Sequence, residues 1–160
     1  MRARLRNLLW MALCSWSVGV TGLSAQDEWP QFRGPDGQGH AAAQGLPLTW
    51  SETENVTWKT EIPGEGHSSP VISGDQVWVT SAITRQLSPE EEKARIAQIK
   101  NPDGLRVAGE LNLKAIQLNR TTGAIERTID LFQVSHPEPK HGLNSYASPT
   151  PVIAGDRVFC

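Results

Sequence analysis

Two ten-residue stretches decide the fold. Pro70-Val71-Ile72-Ser73-Gly74-Asp75-Gln76-Val77-Trp78-Val79 returns as Pro151-Val152-Ile153-Ala154-Gly155-Asp156-Arg157-Val158-Phe159-Cys160, in register and without a gap, 81 residues on. Each copy places a β-branched pair before Gly-Asp and alternating apolar residues after it. Gly-Asp between two such runs is a tight hairpin signal, because the turn needs residues that tolerate positive φ. Each copy is therefore expected to be a β-hairpin. Small and polar residues lead into both, His67-Ser68-Ser69 into the first and Tyr146-Ala147-Ser148-Pro149-Thr150 into the second.

Between the copies lies a second strand pair. Leu111, Leu113, Ala115 and Gln117 alternate with Asn112, Lys114, Ile116 and Leu118. Asn119-Arg120-Thr121-Thr122-Gly123 is a turn, and Ala124 to Leu131 is a β-like run containing Ile125, Ile129 and Leu131. Two hairpins make one four-stranded sheet, after which the pattern restarts. Repeated four-stranded sheets are the signature of a β-propeller. The expected strands are 68–73, 76–82, 111–119 and 124–131, with 147–153 and 156–160 opening the next blade. Asn55 to Ile62, where Val56, Trp58 and Thr60 alternate, has the pattern of a further strand, of the kind that closes a propeller's last blade. Fourteen Gly and eleven Pro fit many turns and short strands better than a helical bundle.

The first 25 residues read as an export signal. Arg2, Arg4 and Arg6 precede a mostly apolar run from Leu8 to Leu23, and Ser24-Ala25 supply small residues before Gln26-Asp27-Glu28. The run is shorter than the ~20 residues of a membrane span. Residues 1–25 are thus expected to be a signal peptide and the protein to be exported, to the periplasm, the cell envelope or the outside. No integral span is expected after cleavage. Residues 26–54 then form an extended leader, and 55–160 the folded repeat. Without the three signal arginines, 12 basic residues face 17 acidic ones, a net charge of −5. That balance argues against a general nucleic-acid binder. Only Cys160 remains after cleavage, so no disulfide can form within the piece and no cysteine metal site is expected.

An insertion, residues 83–110, interrupts the blade. Ser88-Pro89-Glu90-Glu91 is a helix start, with Ser88 as cap, Pro in the first turn and Glu91 completing a capping box. Glu91 and Arg95 are spaced to pair one turn apart. Ile96 and Ile99 give the helix a thin apolar stripe, which places it on the surface.

Lys114-Ala115-Ile116-Gln117-Leu118-Asn119-Arg120-Thr121-Thr122-Gly123 resembles the Ala-x-(Asp/Asn)-x-x-Thr-Gly signature of pyrroloquinoline-quinone-like (quinoprotein-type) repeats, with one residue more before the Asn. Ser68-Ser69-Pro70-Val71-Ile72 resembles the opening of such a repeat. Trp29-Pro30-Gln31-Phe32-Arg33-Gly34-Pro35-Asp36-Gly37 is similar to the start of mature exported bacterial propellers of this kind. The resemblance spans residues 29–160. It departs at Arg127, where the repeat usually carries Trp, so that Arg127 or Ile129 must fill that place. It implies an all-β propeller of four-stranded antiparallel blades, about seven or eight in number, of which this chain would hold one and a half.

Fold likeness does not carry function, and three readings stay open. The first is a non-catalytic binding or assembly scaffold with protein partners and no cofactor, similar to the propeller lipoprotein of outer-membrane protein assembly. The second is a quinone-dependent oxidoreductase, for which the resemblance implies pyrroloquinoline quinone beside calcium, held against a Trp and a pair of adjacent cysteines. This piece lacks that cysteine pair. The third is carbohydrate recognition by Trp29, Trp50, Trp58 and Trp78, of which Trp58 and Trp78 alternate as core would and Trp50 is placed to pin the leader.

The candidate face is built from the connections that enter each blade. His67, His136 and His141 would offer a metal or catalytic site if they converged, and are otherwise solvated loop residues. Asn144 and Tyr146, with Ser145, would line the channel or pack against the next blade. In an up-and-down sheet alternate connections share an end. The long segments 83–110 and 132–146 are therefore expected at one end, and the short Gly74-Asp75 and Thr122-Gly123 turns at the other. Long loops on a rigid scaffold are where binding concentrates.

Overall fold

Gly74 carries a φ of 55° and Gly155 a φ of 60°, and each opens a two-residue hairpin turn with Asp behind it. Positive φ at the first central position alone is the type II′ arrangement, which twists with the strands it joins. The structure is a computed structural model that describes residues 28–160; the expected signal peptide lies outside them. Around the first turn, β1 (Val71–Ser73) pairs with β2 (Gln76–Arg85). The insertion holds the helix α1 (Pro89–Ile96) and β3 (Leu105–Arg106). Then come β4 (Glu110–Asn119), β5 (Ile125–Ser135) and β6 (Lys140–His141). The second hairpin is β7 (Val152–Ala154) with β8 (Arg157–Phe159).

The protein is all-β in character, with antiparallel sheets. Strands β1, β2, β4 and β5 form one four-stranded sheet in that order, each antiparallel to the next. The β2–β4 ladder runs unbroken from Gln76↔Asn119 to Arg85↔Glu110. Asn119 shapes the β4–β5 turn: its Oδ1 accepts from the backbone N–H of Thr121 and of Thr122, both at 3.0 Å, an Asx turn that ends at Gly123 with φ 72°. The sequence echo is also an echo of pairing. Val71↔Trp78, Ile72↔Val77 and Ser73↔Gln76 become Val152↔Phe159, Ile153↔Val158 and Ala154↔Arg157.

Strand alternation gives the sheet two faces. On one, Val71, Trp78 and Ala115 form a buried cluster, with Ile153 and Val158 of the second hairpin laid on it. Ala82 and Leu111 continue this face, covered by Ala147 and Tyr146. On the other, Val77, Ile116 and Leu118 pack beneath Trp58 and Ile62. Ile116 and Val71 are fully buried, each stabilising the fold by about 1.5–3 kcal/mol. Ser69 N–H donates to Thr150 Oγ1 at 3.0 Å, so the segments leading into the two hairpins are joined at equivalent positions of the repeat.

The leader binds both hairpins. Trp29 exchanges two backbone hydrogen bonds of 2.8 Å with Ile72 on the free edge of β1, and Pro30 O accepts from Ile153 N on β7, also at 2.8 Å. The Glu28 carboxylate accepts from Gly74 N–H at 3.0 Å. A side chain on Gly34 would meet the Trp29 ring at 2.7 Å, so only glycine lets the chain fold back over that indole.

Several expectations need correction. Strands β2 and β5 run further than expected, to Arg85 and Ser135, while β1, β7 and β8 are shorter. The ladder therefore extends into the start of the 83–110 insertion. Residues 55–62 form no strand. They cross the sheet and are held by side chains instead, with Trp58 Nε1–H donating to Arg120 O at 2.8 Å and Thr60 Oγ1–H to Gly123 O at 2.6 Å. The leader is not extended throughout, for residues 31–38 fold into tight turns. Trp50 is 71% exposed and pins nothing. Glu91 and Arg95 do not pair, because each has a better partner. Glu91 accepts from Ser88 N–H at 2.9 Å, a bond that holds its carboxyl below the ordinary glutamate value. Arg95 reaches out of the helix to the backbone carbonyls of Ala108 and Pro137.

Candidate binding face

The two long connections are stitched into one layer. β3, from the insertion, pairs with β6, from the β5–β7 connection, as Leu105↔His141 and Arg106↔Lys140. Gly142 N–H donates to Gly104 O at 2.7 Å and His136 N–H to Gly109 O at 2.8 Å. Arg95 joins the same two segments, since Ala108 belongs to one and Pro137 to the other; its Nη2 lies 3.0 Å from Pro137 O. The expectation that both segments share one end of the sheet is met. The capped helix α1 has no buried residue, and the Ser88–Glu91 capping box and the Arg95 bonds are what fix it. Each bond from a charged guanidinium to a carbonyl is worth about 1.5–3 kcal/mol, enough to hold a helix that lacks an apolar face.

This layer encloses a cleft of about 280 Å³. Buried Val107 and Ala108 contribute to its wall, and Arg106, Lys140, Glu65 and Glu92 bring charge to it. Glu65 is set by two backbone hydrogen bonds to Ala82, of 3.0 and 2.8 Å. Half-buried Tyr146 also lines it; the phenol donates to Glu138 O at 2.7 Å, and Lys140 Nζ stands 5.8 Å from the ring centre. Burial pushes the Tyr146 hydroxyl above its ordinary pKa.

Of the residues singled out in the sequence, only Tyr146 reaches this cleft. Asn144 holds its rim: the Asn144 carbonyl accepts from Lys140 Nζ at 2.7 Å, and its N–H donates to His141 O at 2.9 Å. His141 is exposed on β6 and accepts from Leu143 N–H through Nδ1 at 3.2 Å. His136 is exposed with a φ of 54°. His67 lies apart, its N–H bound to Ala147 O at 3.0 Å. The histidines do not converge; among the described residues no group of three His, Cys, Asp or Glu side chains is placed to hold a metal.

No known protein family, curated protein or solved structure matches this chain. Among the described residues no helix is long and apolar enough to cross a membrane.

Sequence reasoning missed Glu65, Glu92, Arg106 and Lys140. Arg106 and Lys140 sit on two-residue strands, too short to show a period. A second cavity, apolar and of about 480 Å³, opens beside Tyr146 between Leu113, Leu131 and Phe132 of the sheet and Pro149 and Cys160, which flank the second hairpin. Burial there raises the Cys160 thiol's pKa.

Proposed function

We propose that this chain opens an exported quinoprotein-like β-propeller that serves as a non-catalytic binding or assembly scaffold and engages protein partners through the stitched loop layer. The single observation that carries the reading is the β3–β6 ribbon. It turns two long connections into one surface at one end of the sheet, while the strand connections at the opposite end are tight turns. Rigid presentation lowers the ordering cost of binding. At the tip of this layer Leu143 is 80% exposed, an apolar anchor among polar neighbours.

The propeller part of the proposal is supported by the hairpin that restarts the register and lies on the Trp78 face. It is supported too by what that hairpin leaves uncovered on β5, where Ile129, Leu131 and Phe132 are all exposed. Two further strands of the second blade would cover them. Export is supported by Arg2, Arg4 and Arg6, the apolar run behind them and Ala25.

Site-specific photo-cross-linking in the cell envelope tests the working face. A photo-reactive residue in place of Leu143 is expected to give discrete protein adducts, and one in place of Asp75 at the tight-turn end is expected to give none. Adducts from position 75 with none from 143 would contradict the reading.

A further inference from the structure

The cleft beneath the ribbon holds two cations and two anions that do not neutralise one another. Arg106 and Lys140 face each other directly across the β3–β6 ladder, and both line the cleft. Like charges opposite one another in an antiparallel pair repel. Glu65 comes from the segment before β1 and Glu92 from α1, so the carboxylates belong to other elements of the wall. Opposite charges on flexible side chains normally close into pairs, yet among the described residues none of these four forms an ion pair with another. Their backbones are held by separate elements: Arg106 and Lys140 by the ribbon, Glu65 by its bonds to Ala82, and Glu92 by its place in the capped helix. Lys140 is turned further by its bond to Asn144 O and by the Tyr146 ring.

A cleft with separated, unneutralised charges of both signs is complementary to a ligand that carries both. We propose that it binds a small zwitterion, a free α-amino acid or a short peptide with both termini free. The carboxylate lies between Arg106 and Lys140, where a guanidinium can take two oxygens at once. The ammonium lies toward Glu65 and Glu92, with Thr84 and Gln86 as further polar partners. The volume, about 280 Å³, lies just below the span of ordinary ligand pockets, about 300–1,000 Å³, and it suits an amino acid or dipeptide. This inference rests on the proposed use of the loop layer as a binding face.

Titration calorimetry on the whole protein at low ionic strength tests it, with glycylglycine as probe and N-acetylglycine, glycinamide and glucuronate as controls. Glycylglycine is expected to bind at least tenfold more tightly than each control. Arg106→Gln is expected to weaken glycylglycine at least tenfold and to abolish its advantage over glycinamide. Glu92→Gln, a change on a helix with no buried residue, should remove the advantage over N-acetylglycine instead. An unchanged thermal melt establishes that each variant is folded; if Arg106→Gln does not fold, the Glu92→Gln arm decides. No heat with glycylglycine, equal binding of N-acetylglycine, or tighter binding of glucuronate would overturn the inference. Adducts at position 143 in the presence of any of those results would show that the face binds partners and that only the ligand class is wrong.

Discussion

Replacing Trp78 by alanine is expected to destabilise the protein by about 3–5 kcal/mol, the range for emptying a buried Trp or Phe site. Trp78 is 5% exposed. Its ring sits with Val71 and Ala115 of its own sheet and receives Ile153 and Val158 of the second hairpin. The indole N–H is satisfied by Gln76 Oε1 at 2.9 Å, so the substitution empties a site that is both apolar and fully bonded. The loss falls on the seam between the two hairpins, and the second hairpin has few other anchors. Urea unfolding of the whole protein measures it. Trp50→Ala is the control: that ring is 71% exposed and its removal should change stability by no more than about 0.5 kcal/mol. Equal midpoints for the two variants would show that the Trp78 seam is not structural.

Gly123→Ala is expected to cost about 2–4 kcal/mol, the sum of a backbone and a packing effect. Gly123 has a φ of 72°, and an alanine there carries a left-handed backbone penalty of about 1–2 kcal/mol. A methyl group would also meet the Trp58 ring at 2.5 Å and Thr60 Oγ1 at 2.8 Å. The ring has to move, and its N–H loses Arg120 O, at a cost of about 1–2 kcal/mol. Gly155→Ala separates the two causes. Gly155 has a φ of 60°, but a methyl group there would meet nothing within 4 Å, so it should show the backbone penalty alone. The same denaturant titration checks both, and a Gly123 variant no worse than the Gly155 one would mean that Trp58 does not clamp the turn.

Much of the sheet could be read from residues alone, because its rules are local. Gly-Asp between β-branched runs fixes a two-residue turn, and the turn fixes the register; hence Val71↔Trp78 and Val152↔Phe159 follow from the sequence echo. Helix α1 was legible for the same reason, since Ser88, Pro89 and Glu91 act within one turn. The segment 55–62 misled because period two has two causes. Val56, Trp58 and Thr60 alternate as a strand would, but Trp58 and Thr60 are spaced to clamp the Arg120–Gly123 turn with side-chain bonds. Nothing local distinguishes a ladder from a clamp.

The cleft was illegible for a different reason. Its cations are brought together by two strands of two residues each, from segments that are distant in sequence, and its carboxylates come from two other elements. What could be foreseen was the end of the sheet on which it lies, because the parity of up-and-down connections is topological. Which side chains line it depends on where Arg95 and the β3–β6 ribbon draw the loops together, and that is a tertiary result.

An electron cryo-microscopy map of the whole protein would show whether the proposed propeller of repeated four-stranded sheets forms. The expected map is a ring of four-stranded blades with β1 and β7 as innermost neighbouring strands, the leader along their inner edges, and Ile129, Leu131 and Phe132 covered by the second blade. A map in which β7 and β8 join the first sheet edge to edge, or in which β1 and β7 lie far from any common axis, would contradict it.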